Sequence, residues 1–570
     1  MTPPTRRRVA IGLALAGLSL IATGWTAFER RLFQDDVQVL LLILTAPGGF
    51  LQALVLPISS ATRRLQGAPY ALALASGEPL LFLRVAGEAV TFGIGLMAAA
   101  LARRALRLGA AAAFAAGALT ITASSDWLTA SLVALGYNLS ILLHLAGAFA
   151  LVRWSREGGP GWLAAAIVLG NASLWTIDAA ALVHPLTPLL ALLACDDPAM
   201  RRRAVWGGGL WLASAVPYYS HLLAFLTETS GYVAHAVVAA PWSARLERAV
   251  ELFFLNFAPW RWGPGRPNWF RPPPAWLSPA WCAALIAVGL GITGATLAYL
   301  QRGAERRPQP PRRRALGRFV LMLLFTALST APYAVIQFSQ FRYRTQLLGR
   351  VWASLAVALV VAGLLAARTA RARALGIALI AIFVGLGLRG GLERQDYFVG
   401  YGHRHRTELA SLATALPAVD AEAQIVLRLP PHDYYAATEA AYLARAWVTL
   451  LGAEPSLESR TWLVAPARGA TCEATAAGLV CGGENLTRGK QSEARAPQVL
   501  PYERLVVLSY DPPSNRYHLE TQLPADLLPP GDAEPAARRA YAPAARVRDG
   551  TPSWLARDLL ELPAPPAVTP

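Results

Sequence analysis

Two adjacent carboxylates, Asp35 and Asp36, stand in the stretch FERRLFQDDVQVLLLIL, between an apolar run ending near residue 28 and another beginning at Val37. A carboxylate pair at the head of an apolar element suits two jobs. One acid can cap a helix, because it accepts from first-turn amides and favours the positive end of the helix dipole. The other can serve as a general base, since a carboxylate beside a second acid has its pKa raised toward neutrality. Either could also pair with Arg30 or Arg31. Further ionisable residues recur at the ends of apolar segments. Arg84 and Glu88 share one helix face and can pair; Asp126 lies in TASSDWL; Asp178 lies in LWTIDAAALVHPL, ahead of His184 and Pro185; Arg342 and Arg344 lie in QFSQFRYRTQ. A guanidinium fork fits a phosphate. Plainer roles stand beside these: Asp126 as a cap, His184 at a helix start or kink, and the late arginines as side chains reaching to lipid headgroups.

The elements that must position these groups are apolar. The chain has 570 residues, 55% hydrophobic and 15% charged, with a net charge of +17 and a mean hydropathy of +0.38. Soluble domains carry about 25% charged residues, so this is the composition of a membrane protein. In a polytopic chain a basic balance reflects cytoplasmic loops and anionic lipid and gives no reason to expect a nucleic acid. Spanning helices of roughly 20 apolar residues are predicted at 9–28, 80–102, 108–124, 128–152, 161–177, 179–194, 204–226, 275–300, 317–336, 347–367 and 374–391, about eleven in all. The first run is longer than a signal-peptide core and lacks a small-x-small cleavage site, so it reads as a retained helix. The segments TRRR, ARRALR, RWSRE, DDPAMRRR, QRGAERRPQPPRRRALGR and ARTARARA fall on one side if 161–194 crosses twice. The positive-inside rule then puts the N-terminus in the cytoplasm and the tail outside.

Three pieces are expected outside. Loop 29–79 holds apolar runs too short to span and reads as amphipathic helices lying along the membrane surface. Loop 227–274 ends in a Trp- and Pro-rich stretch suited to the headgroup level. Residues 1–392 thus form a transmembrane domain, 393–529 a small α/β domain, and 530–570 a Pro/Ala-rich disordered end. AQIVLRLP, RTWLVAP and ERLVVLSYD read as strands, and YYAATEAAYLARAWVTLLG as a helix. Cys472 and Cys481 suit a disulfide across a short hairpin outside the reducing cytosol, with two free thiols as the other reading. No phosphate loop, His-Glu-x-x-His or Gly-x-Ser-x-Gly motif is present.

This layout resembles the GT-C superfamily of polytopic membrane glycosyltransferases, in particular its protein mannosyltransferases and aminoarabinose transferases. FQDDVQVLLL is similar to that family's first-loop acidic motif. GNASLWTIDAAALVHPLTPLLALL resembles its polar turn before a Pro-containing helix, and FRYRTQLLGRVWASLAVALVVAGLL its late Arg-Tyr turn. The likeness covers about residues 1–400. It implies an all-α polytopic fold with a C-terminal α/β domain outside a bacterial inner membrane. It implies a polyprenyl-phosphate sugar donor, a glycan, lipid or protein acceptor, and transfer with inversion. Asp35 or Asp36 would be the base, Asp126, Asp178 and Glu88 supporting acids, and Arg342, Arg344 or Arg84 the phosphate ligands. Some members hold a divalent metal on such acids. Two rival readings are a non-catalytic membrane protein whose outer domain binds an envelope partner, and a transporter.

Overall fold

The computed structural model describes residues 3–29, 34–44, 46, 49–55, 63–125, 132–227, 241–262, 276–302, 312–334, 346–416, 418–428, 441–464, 471–482, 496–548 and 553–562. Among them, seven helices are long and apolar enough to cross a membrane: Thr5–Glu29, Pro79–Arg104, Leu135–Glu157, Pro279–Gln301, Arg313–Ala334, Gly349–Ala366 and Ala370–Ala415. The other four expected spans take less regular forms. Two are the shorter helices Ala110–Thr122 and Pro160–Thr176. Span 204–226 is Pro198–Ser214 followed by Val216–Thr227. Span 179–194 is not one helix. It is built of 3-10 turns at Asp178–Ala180 and His184–Leu186, then the short helix Pro188–Leu193. Pro185 and Pro188 supply no amide donors, which breaks the helical ladder there.

The chain between Glu157 and Asp196 nevertheless goes out and returns. Glu157 pairs with Arg104, and Asp196 pairs with Arg107, close by on the same helix end. Arg314 reaches Asp196 at 3.0 Å, Arg318 donates to the Leu106 carbonyl at 2.9 Å, and Arg156 donates to that of Arg104 at 3.0 Å. Four of the Arg-dense segments therefore meet at one end of the bundle.

The opposite end carries the α/β domain, and one helix joins the two. Ala370–Ala415 runs unbroken for 46 residues, about 69 Å at 1.5 Å per residue, well beyond a bilayer's roughly 30 Å apolar thickness. The expected boundary at 392/393 thus falls inside a rigid rod. Close backbone approach explains its glycines: a Cβ on Gly391 would stand 2.7 Å from the Ala22 carbonyl oxygen, and one on Gly387 would collide with that of Thr122. Gly387→Ala is expected to cost about 1–3 kcal/mol through forced separation of the helices, read as a lowered unfolding midpoint in detergent. An unchanged midpoint would show that the crossing can open freely.

In the domain, the short strand β1 (Ala418–Val419) pairs with β9 (Val547–Arg548), and four strands order as β3-β2-β7-β8 (β2 Gln424–Arg428, β3 Thr461–Val464, β7 Leu505–Asp511, β8 Arg516–Leu519), with β2, β3 and β7 parallel and β8 antiparallel. The crossover from β2 to β3 contains the helix Ala441–Gly452, as a parallel pair requires. One face of the sheet (Val426, Trp462, Leu505, Val507) packs against the three-stranded sheet β4-β5-β6 (Thr471–Thr475, Gly478–Gly482, Gln498–Leu500). There Cys472 and Cys481 face each other across β4 and β5 and are disulfide-bonded. The other face (Ile425, Leu427, Leu463, Leu508) meets the long helix, Ala441–Gly452 and a last helix, Trp554–Leu560.

That last helix departs from the disorder expected after residue 530. Glu534–Ala540, Val547–Arg548 and Trp554–Leu560 are all regular elements, and Leu555, Ala556, Leu559 and Leu560 are buried. Their spacing is that of a short amphipathic helix, hidden by the Pro- and Ala-rich sequence around it.

Candidate functional site

The acid pair opens the helix Gln34–Leu44; the side chains of Asp35 and Asp36 lie outside the described residues. So do Asp126, Arg342, Arg344 and the stretch 263–275 of the Trp-rich loop. What the structure settles is how the acid-pair helix is held. Val37, Val39, Leu40, Leu41 and Ile43 are buried in one core with Trp447, Leu450 and Leu451 of Ala441–Gly452, with Leu80 and Leu83, and with Leu555 and Leu559. The helix was expected to rest its apolar side on lipid. It rests it on the α/β domain, because the amphipathic face of Ala441–Gly452 offers a protein partner of the same character.

The chain leading to the acids is fixed as well. The amide and hydroxyl of Thr26 both donate to Gln395 Oε1, at 3.0 and 3.2 Å, and Glu29 lies 3.4 Å from His403. Both partners belong to the long helix.

The expected Arg84–Glu88 pair does not form. Arg84 is ion-paired with Glu561 at 2.6 Å, and Glu88 accepts from the Thr23 hydroxyl at 2.9 Å. Arg84 is therefore engaged by Glu561, far along the chain.

Asp178 is engaged through both oxygens. Arg63 Nε donates to Oδ2 at 3.0 Å, and the Tyr218 hydroxyl donates to Oδ1 at 2.8 Å. The Leu65 amide donates to the Trp175 carbonyl at 2.9 Å alongside, and Arg64 lies over the Trp175 ring. This cluster ties the first loop to the turn after Pro160–Thr176. Both Asp178 oxygens are thus committed to Arg63 and Tyr218. Tyr218→Phe is expected to lose about 1 kcal/mol of stability, the worth of one hydrogen bond, read as a lowered unfolding midpoint in detergent. An unchanged midpoint would show that this bond adds nothing to the fold.

His184 is a core residue. Its ring stacks on Trp211 at 4.3 Å, 5.9 Å from the ring of buried His144, and its carbonyl accepts from Trp211 Nε1 at 3.0 Å.

Two arginines passed over in the sequence occupy the domain side of the bundle. Arg350, 1% exposed, donates to the Ala123 carbonyl at 3.2 Å. Arg394, 6% exposed, donates to the Trp262 carbonyl at 3.2 Å. Arg394, Ser124, Gly391 and Thr23 line one small cavity of about 10 Å³, and Glu88 reaches the same Thr23. Five helices contribute around this cavity: Thr23 from Thr5–Glu29, Glu88 from Pro79–Arg104, Ser124 just after Ala110–Thr122, Arg350 from Gly349–Ala366 by way of Ala123, and Arg394 from Ala370–Ala415. In sequence both arginines look like ordinary charges at span edges, and only their burial separates them from headgroup-facing ones. No group of three or more His, Cys, Asp or Glu suited to a metal occurs among the described residues.

Fold and site together define a polytopic helical membrane protein whose extramembranous α/β domain is built into the seat of an acidic helix. No family model matches the chain, and no curated protein matches it. A likeness exists to a solved structure, ArnT from Cupriavidus metallidurans bound to undecaprenyl phosphate, with a TM-score of 0.35 and 16% identity over 80% of this chain and 85% of that one. A likeness at that TM-score carries no inference about what this chain does.

Proposed function

We propose that the chain is a GT-C-type membrane glycosyltransferase, taking a sugar from a polyprenyl-phosphate donor to an extracytoplasmic acceptor with inversion. The observation that carries this reading is the convergence of buried Arg350, buried Arg394 and half-buried Glu88 on the residues around one small cavity, the first through Ala123 and the last through Thr23, at the domain side of the bundle, where the acid-pair helix is clamped in place. Ionisable groups inside a membrane domain are costly and are retained for function.

In the proposed reaction, Asp35 or Asp36 accepts the proton of the acceptor hydroxyl. The oxygen attacks the anomeric carbon on the face opposite the phosphate. The bond from that carbon to the phosphate oxygen breaks, and its electron pair leaves with the lipid phosphate. Arg350 and Arg394, with Arg342 and Arg344 a few residues before Arg350 in the sequence, are proposed to offset the charge that develops there. Asp126 is proposed as a supporting acid and Asp178 as a structural one. If a divalent ion takes part, the acids of the first loop and Asp126 are the candidates to hold it. The Arg-dense end faces the cytoplasm in this reading, in accord with the positive-inside rule. The disulfide-bearing domain lies in the oxidising periplasm of a bacterial inner membrane.

The test is reconstitution in nanodiscs with a panel of polyprenyl-phosphate sugars and cell-envelope acceptors. Release of polyprenyl phosphate that depends on the protein and on an acceptor is expected. No release across the panel, with the donors shown to be incorporated, would contradict the reading.

A further inference from the structure

The end of the chain reaches back to the start of the membrane helix Pro79–Arg104. That helix has Glu78 at its N-cap, and the Glu78 side chain makes no capping bond. First-turn amides need acceptors from elsewhere. The Leu80 amide finds one in Asp558 Oδ2 at 3.0 Å, 478 positions along the chain. Arg84, one turn further on and 6% exposed at its side chain, pairs with Glu561 at 2.6 Å. The Glu561 carbonyl accepts from Arg406 of the long helix at 2.9 Å. Glu561 itself closes the last helix with φ at 49°, a left-handed conformation unfavourable for a residue with a side chain; its bonds to Arg84 and Arg406 offset that cost. On the opposite side, the Ser553 hydroxyl donates to the Leu451 carbonyl at 2.6 Å and caps the last helix through the Ala556 amide at 3.1 Å. Leu555, Ala556, Leu559 and Leu560 fill the space between, in the core that also holds Val37 and Leu40.

The last helix therefore bonds the domain-side end of one membrane helix, the long helix and Ala441–Gly452 at once. Ala441–Gly452 is the helix on which the acid-pair helix is seated. We infer that residues 553–562 form a latch, and that Asp558 and Glu561 are positioning residues which hold the Gln34–Leu44 helix in place for the transfer step. That they serve a transfer step rests on the function proposed above. That they hold the helix rests on the contacts alone.

The test is hydrogen exchange on the full-length protein in nanodiscs, comparing the native chain with Asp558→Asn, Glu561→Gln and the charge-swapped pair Arg84→Glu with Glu561→Arg. Loss of one charged bond predicts exchange faster by about tenfold or more in 34–44 and 79–84. The sheet residues 505–511 should stay protected, and the swapped pair should regain protection. Unchanged exchange in 34–44 in both single variants would overturn the latch. Loss of protection in 505–511 at the same time would also overturn it, since the segment would then be only part of the domain's general fold. Should the helix loosen in a protein that transfers no sugar, the latch stands and the proposed function falls. Should it loosen while kcat stays native, the positioning role falls.

Discussion

Asp35→Asn and Asp36→Asn, made separately, are expected to behave unequally. The variant that removes the base should lower kcat by about 10²–10⁴-fold, the usual worth of a positioned general base. The other should lose little beyond the few tenths to about 1 kcal/mol of a helix-terminal charge. The asymmetry follows from the position of the pair in the first turn of the helix Gln34–Leu44, where one carboxylate is enough to favour the helix terminus and the other is the proposed base. The packing of this helix on the α/β domain is carried by Val37 and Leu40, so the fold should survive both substitutions. Transfer rates for the two variants, with lipid binding measured in parallel, decide the matter. Native rates in both would remove the acid pair from the mechanism.

Arg350→Ala should rank next in effect. The side chain is 1% exposed, and its guanidinium donates to the Ala123 carbonyl, one residue before Ser124 and three before Asp126. Its removal withdraws a positive charge from the region proposed for the leaving phosphate, worth about 10²–10³ in kcat for a donor of this kind. It also leaves a buried carbonyl without its partner, at about 1–3 kcal/mol of stability. Arg350→Lys should rescue poorly, because an ammonium cannot reproduce the fork geometry of a guanidinium. Native kcat in Arg350→Ala would reduce the residue to a helix-packing role and weaken the case for a phosphate site beside it.

Much of the architecture is legible in the sequence because hydropathy and arginine placement report directly on the membrane. The Arg-dense segments ARRALR, RWSRE, DDPAMRRR and RRRALGR come together at one end, joined through Asp196 and Glu157. The strands at 424–428, 461–464 and 505–511 coincide with apolar β-branched runs. Long-range pairing is what local pattern does not carry. Arg84 and Glu88 have the spacing of a helical pair, yet their partners are Glu561 and Thr23, residues far away in the chain. Nothing in its local sequence distinguishes Arg63 from the other loop arginines, and the fold sets it against Asp178. The apolar side of Gln34–Leu44 has the same hydropathy whether it meets lipid or Trp447 and Leu450, so only tertiary structure could separate those cases. The last helix was obscured by its Pro- and Ala-rich surroundings.

The domain side of the bundle is proposed to receive a polyprenyl phosphate. Native mass spectrometry of the purified protein with added polyprenyl phosphate measures that directly. One bound polyprenyl phosphate per chain is predicted, retained in Asp35→Asn and Asp36→Asn and lost or much weakened in Arg350→Ala. A spectrum showing only ordinary phospholipids, with polyprenyl phosphate in excess, would contradict it.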